Sequence, residues 1–343
     1  MKEGNMKTFK MKRIVILFVC TIFMIGLTGI SLAAEAKYKI KLGSHHPDSH
    51  KAIQTLKNIK EFIEKETKGN VVISIYPGSQ LGDYTLMYEE VMRGTLQMAQ
   101  ICTSGQYDKK MEINYLPYLI TNYNQIPRVF SPGSFFFKKY DEINKNLGAK
   151  LLGIYVEGFV GFGTKTIPKD LANPNVRKSE LIRVPPMDIF TLAIQDMNYK
   201  TTTIPYADLF SALQTGIADG WFGGTAELNY LGFRDAIKYY IPYNVCIENT
   251  SYLINAKYFD SMPKEYQKLF EDQFQQAARN SITECENQDK LYIKKLADYG
   301  IKIIDLSDKQ LSVLADHIRK VTWPKYAAMY SKEIMDGLKA DVK

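Results

Sequence analysis

The chain has 343 residues, 45% of them hydrophobic and 24% charged, a balance that supports a packed core and excludes a largely disordered chain. Its formal charge of +7 is spread without a dense Lys/Arg stripe, which argues against nucleic acid as a partner. The length allows one large domain or two of ordinary size.

Lys7, Lys10, Lys12 and Arg13 precede an almost wholly apolar run from Ile14 to Ala34, and Ala34-Glu35-Ala36 follows as a small-residue cleavage pattern. Residues 1–36 therefore read as a secretory signal peptide. About 20 apolar residues also suffice to cross a bilayer, so a membrane anchor competes with that reading, although Gly26 and Gly29 favour cleavage. Lipid attachment at Cys20 is disfavoured by Val19, which stands where a small residue is expected. Removal of this segment, with five basic and two acidic residues, lowers the formal charge by three, to +4. Cys102, Cys246 and Cys285 remain; their spacing matches no zinc motif, an odd number permits at most one bridge, and they read as buried thiols.

Tyr38, Ile40 and Leu42 alternate with Lys39 and Lys41, the period of a half-buried strand. Ile53, Leu56, Ile59 and Ile63 then mark one face of a helix with Ser49 near its cap. Val71 to Tyr76 is strand-like, and Asp83 caps a helix that ends before Gly94. Strands follow at Leu96 to Ile101, Lys150 to Val156, Leu181 to Val184 and Ile217 to Phe222, with a helix around Met187 to Met197 and another ending at Gly216. A long helix opens at Pro263 and runs towards Gly300. The alternation predicts α/β architecture, largely parallel sheets with helices on both faces, in two lobes joined by crossing strands.

Ligands in such sheets sit beyond the carboxyl ends of the strands. The first such loop, Ser44-His45-His46-Pro47-Asp48-Ser49-His50, holds three of the four histidines. Metal ligation, ligand contact and an ordinary capped turn all fit it, but no second cluster supplies further metal ligands, and no metal is expected. Ser104, in Thr103-Ser104-Gly105, lies after another strand and offers a hydroxyl. Arg183 is embedded in the apolar strand Leu181 to Val184, where burial demands a partner: a ligand carboxylate held by the planar fork, or an internal acid. There is no Gly-x-Ser-x-Gly elbow, His-Glu-x-x-His helix, P-loop or dinucleotide fingerprint, which favours binding over turnover, with no cofactor.

The ordered set Gly43-Ser44-His45, Gly78-Ser79-Gln80-Leu81-Gly82-Asp83, Arg93-Gly94-Thr95, Ile182-Arg183-Val184-Pro185 and Ala212-Leu213-Gln214-Thr215-Gly216-Ile217-Ala218-Asp219-Gly220 resembles the DctP-type solute-binding proteins of TRAP (tripartite ATP-independent periplasmic) transporters. That resemblance implies a two-lobed fold like that of periplasmic binding proteins, with a ligand cleft between the lobes and a long helix crossing both. The expected division is residues 37–158 with 250–288 against residues 159–249 with 289–343. It also implies a monomer outside the cytoplasm that captures a small organic acid and delivers it to two membrane permease subunits driven by an ion gradient. A secreted hydrolase using the histidine loop, or a ligand sensor of the same fold, are the alternatives.

The resemblance places Arg183 as the carboxylate clamp and Tyr206 over the ligand, and the strand after Gly216 delivers Trp221, Phe222 and Gly223 to the cleft. Many members read Asp-Gly-Gln-Glu-Asn where this chain reads Asp219-Gly220-Trp221-Phe222-Gly223-Gly224, so polar recognition gives way to aromatic surface. Phe159 and Phe162 stand where many relatives carry a second arginine. These substitutions favour a monocarboxylate with an apolar or aromatic body, though Trp221 also fits a packed core. His45, His46, Ser104, Glu157, Phe162 and Asn244 complete the candidate ligand-binding set.

Overall fold

The computed structural model describes residues 36–343; the signal segment expected over residues 1–36 lies almost wholly outside the described residues. Among these, no helix is long and apolar enough to cross a membrane.

Two sheets organise the chain. The first takes β1 (Tyr38–Ser44), β2 (Val71–Tyr76), β3 (Met98–Ile101), β4 (Ala149–Phe159) and β10 (Ile247–Asn255), in the order β2-β1-β3-β10-β4. The second takes β5 (Gly161–Thr164), β6 (Leu181–Val184), β7 (Lys200–Thr203), β8 (Gly220–Gly224), β9 (Tyr239–Ile241) and β11 (Lys302–Ile303), in the order β11-β9-β5-β8-β6-β7. β1 pairs in parallel with β2 and β3, as the βαβ pattern requires.

The sheets are more mixed than the sequence implies. β10 runs antiparallel to both β3 and β4, and β5 runs antiparallel to β8 and β9. The cause is the crossing: β4 passes through Val160 straight into β5, and β9 returns through residues 242–246 into β10. Chains crossing in opposite directions pair antiparallel, and Val160 bonds to them both ways, N to Cys246 O at 3.0 Å and O from Val245 N at 3.2 Å.

Local chemistry places the helices. Asp83 accepts from Thr85 N at 3.1 Å to start the helix Tyr84–Arg93, and Gly94 ends it with φ of 83° in the left-handed region. The helix Lys51–Glu66 is capped by His50 and not by Ser49; the His50 side chain accepts from Ala52 N at 3.2 Å. Its buried Ile53, Leu56, Ile59 and Ile63 pack on the first sheet. Pro263 caps the helix Lys264–Tyr299, one place before its first turn. At 36 residues that helix is about 54 Å long, and it packs against β4 of the first sheet and β11 of the second. The helix Lys332–Asp341 packs on the helix Phe135–Asn146, whose first N–H groups, those of Phe135 and Phe136, donate to Asp341 at 2.9 and 2.8 Å.

Apolar residues fill both faces of each sheet. One cluster lies between the first sheet and the helices Lys51–Glu66 and Lys264–Tyr299, a second surrounds Trp221, and a third runs continuously past both sheets. Cys102, Cys246 and Cys285 are free thiols.

Candidate ligand-binding site

A small cavity lies where the strand ends of the two sheets meet. His45, at the end of β1, and Glu248, on β10, come from the first sheet; Arg183, on β6, and Gly223, on β8, come from the second. Tyr206 also lines it, from the short turn Tyr206–Asp208.

Arg183 is 1% exposed. Its Nε donates to Ile204 O at 2.8 Å and its Nη1 to Phe222 O at 3.4 Å, while Nη2 is buried without a partner. Two main-chain carbonyls thus orient the guanidinium and leave donors for something else. Burial lowers its proton affinity, offset in part by Tyr84 and Tyr206, but a guanidinium remains charged. Gly223, with φ of 115°, keeps this edge open; a Cβ there would stand 3.0 Å from Pro185 and 3.6 Å from Arg183 Nη1.

The opposite wall is polar in a different way. Cys102 Sγ donates to Glu248 Oε1 at 3.2 Å, and Tyr115 Oη shares its proton between Glu248 Oε1 at 3.4 Å and Asn249 O at 2.8 Å. Burial raises the Glu248 carboxyl well above the usual range, and the neighbouring Glu157 adds to the shift. His45 Nδ1 and Tyr84 Oη are buried without partners. The His45 ring meets Tyr206 edge-on at 5.5 Å. Met187, Phe190 and Leu228 supply apolar wall between these groups.

Behind His45 the imidazoles continue as a stack, His45 to His46 at 4.2 Å and His46 to His50 at 4.1 Å. His46 Nε2 bonds Glu157 Oε1 at 2.9 Å, and His50 Nε2 lies 3.7 Å from both Glu157 and Glu227. Burial lowers all three histidines, His46 to about 3, and pushes Glu157 and Glu227 up to about 7. His46, His50 and Glu157 bring potential metal-ligating atoms within 4.8 Å of one another. Two features oppose an ion there. The His46 and His50 rings are within 17° of parallel, so their in-plane lone pairs do not converge. His50 Nδ1 already accepts from Ala52 N, so its Nε2 carries the proton, whereas a metal-bound histidine donates through its other nitrogen.

His45, Arg183, Tyr206 and Gly223 are therefore brought together, and His46 and Glu157 stand one layer behind them. The other expected residues lie elsewhere. Trp221 is fully buried on the far side of β8, its Nε1 donating to Asn229 Oδ1 at 2.9 Å and its ring 4.5 Å from Phe233. This corrects the expectation that it faces the cleft: the indole is taken up by the cluster around Phe233, and Gly223, not Trp221, lines the cavity beside Arg183. Phe222 and Phe162 pack together in the second sheet's core at 5.4 Å, Phe222 also meeting the cavity-lining Phe190 at 4.9 Å. Ser104 is buried outside the cavity wall. Asn244 sits on the β9-to-β10 crossing and lines a separate depression with Tyr118 and Arg319.

Sequence reasoning missed Glu248, Cys102, Tyr115 and the Met187/Phe190 wall. Glu248 gave a weaker signal than the arginine in the apolar Leu181–Val184, because it stands beside Asn249, Thr250 and Ser251 in the mixed strand Ile247–Asn255.

Two sheets joined by paired crossings, with a buried arginine offered to the cavity between them, define a two-lobed solute-binding protein. The chain belongs to the DctP family, described as bacterial extracellular solute-binding protein, family 7, whose model matches residues 42–333. It is similar to a TRAP periplasmic solute-binding protein of Desulfovibrio salexigens solved with orotic acid, at 20% identity and a TM-score of 0.80, covering 89% of this chain and 99% of that one. A TRAP periplasmic solute-binding protein of Haemophilus influenzae solved with L-gulonate matches at 22% identity and a TM-score of 0.79, over 89% and 100% of the two chains. A further, uncharacterised protein of Haemophilus influenzae is 28% identical over 243 residues, 70% of this chain and 73% of that protein.

Proposed function

We propose that the chain is the extracytoplasmic binding component of a TRAP transporter, capturing a small monocarboxylate with an apolar body and passing it to an ion-gradient-driven permease without chemical turnover. The observation that carries this reading is Arg183, a buried cation with an unpartnered Nη2 in a cavity between two sheets. A planar guanidinium held from behind presents parallel donors to a carboxylate. Orotic acid and L-gulonate, held by the two similar structures, differ in body and share that group. Met187, Phe190 and Leu228 favour an apolar remainder. The basic-then-apolar first 36 residues support export.

Thermal unfolding in the presence of individual organic acids tests this. A ligand that binds only the native state at a hundredfold excess over Kd adds about 2.7 kcal/mol, and Arg183→Ala should remove the shift. A panel of carboxylates that leaves the melting temperature of the parent protein unmoved, or the appearance of a reaction product by NMR, would overturn the reading.

A further inference from the structure

Arg183 and Glu248 line one cavity from different sheets. Arg183 is 1% and Glu248 3% exposed. Among the described residues neither takes part in an ion pair: Arg183 is held by main-chain carbonyls, and the side chains bonded to Glu248 are the neutral Cys102 and Tyr115. A buried cation without an anion is unfavourable, and a buried carboxyl without a cation is left holding its proton. A plain monocarboxylate satisfies only the first, and a dicarboxylate brings a second anion towards an acid. A molecule carrying both charges satisfies both.

We propose that the ligand is a zwitterionic aminocarboxylate with an apolar body, its carboxylate paired with Arg183 and its ammonium group with Glu248. This rests on the reading of Arg183 as a carboxylate site and narrows it. Glu248 is faced by Cys102 beyond β3, Tyr115 of the turn Lys109–Tyr115 and Glu157 of β4, with Tyr84 and Tyr206 close enough to feel its charge. Arg183 is the fixed cation of the cavity, and His45, beside Cys102, is neutral. None of the groups facing Glu248 supplies a positive charge, so in the unliganded protein burial keeps Glu248 protonated. Pairing with ammonium expels that proton to solvent, and binding releases it.

Titration calorimetry on the purified protein reads both consequences. The probes are matched sets in which only one group changes: leucine, 2-hydroxy-4-methylpentanoate and 4-methylpentanoate; phenylalanine, 3-phenyllactate and 3-phenylpropanoate; 4-aminobutanoate, 4-hydroxybutanoate and butanoate. In at least one set the amino compound should bind at least about thirtyfold more tightly than its two partners. Its enthalpy should vary with buffer ionisation in proportion to about one released proton. Glu248→Gln, folded as judged by its unfolding transition, should abolish the preference and the proton release together. Hydroxy or unsubstituted acids binding as tightly as the amino compounds, or a preference that survives Glu248→Gln, would overturn the inference and leave the carboxylate site standing. Failure of every compound in all three sets would bring down the carboxylate reading of Arg183 as well.

Discussion

Arg183 and Trp221 are both fully buried, and what separates them is whether their polar atoms are satisfied. The Trp221 N–H is bonded to Asn229, whereas Arg183 Nη2 has no partner. Trp221→Ala should therefore cost stability, about 3–5 kcal/mol, read as a lower urea midpoint, and should weaken all ligands alike if binding survives. Arg183→Lys should recover little of the affinity lost in Arg183→Ala, because an ammonium cannot offer the planar pair of donors; calorimetry at equal fold stability checks this. Glu157 gives a prediction in pH. Burial raises its folded-state value to about 7 from the ordinary 4.5, so the folded protein keeps a proton that the unfolded chain releases first. That contribution is fully present below the unfolded value and is lost as pH rises through the folded one. Glu157→Gln keeps the shape without the titration, so its urea midpoint should gain on the parent's between pH 5 and pH 8. A midpoint difference independent of pH would show that Glu157 titrates in the fold as it does in the unfolded chain.

The indole also explains its glycine neighbours at the level of the strand. A Cβ on Gly224 would overlap the Trp221 ring, and one on Gly163, in the adjoining β5, would stand 2.8 Å from the indole Nε1 and also press on Asn229. The two glycines form a slot for the ring, and Gly224→Ala or Gly163→Ala should destabilise by about 1–3 kcal/mol through overpacking, measured as a lower melting temperature. Much of this level was legible beforehand, because helices announce themselves locally: Asp83 and Gly94 bracket one, and Pro263 and Gly300 bracket the longest. The direction of β10 was not legible, because it is set by partners about 90 residues or more earlier in the chain, and nothing within a nine-residue strand encodes which neighbour it meets. The side of β8 that Trp221 takes was open for the same reason; alternation fixes that its neighbours oppose it, not which face is the cavity. Arg183 was readable because a charge in an apolar strand is anomalous on its own, whereas Glu248 stands among Asn249, Thr250 and Ser251 and does not stand out.

Across the whole molecule, the two sheets touch through more than their crossings. Glu227, in the turn after β8, accepts from Lys51 N at 3.3 Å, at the head of the helix packed on the first sheet. Asp289, on the long helix, accepts from Phe159 N at 2.9 Å and Tyr123 Oη at 2.8 Å where β4 passes towards β5. One contact spans the cleft and the other pins the crossing, an arrangement suited to hinge closure around a ligand. Solution scattering should show a smaller radius of gyration with saturating ligand, and Glu227→Ala should shift the liganded protein towards the larger value; equal radii with and without ligand would exclude closure. The position of β10 carries a separate consequence, for the order in which the molecule can be made. Since it lies between β3 and β4, the first sheet has a gap that separates β4 from the other strands until residue 255 has been synthesised, although four of its five strands are complete by residue 159. Such long-range pairing makes folding slow, and a chain ending at residue 246 should lack a cooperative unfolding transition by calorimetry. For most of its synthesis the polypeptide is thus unable to close, a state in which it can still be threaded through a narrow pore.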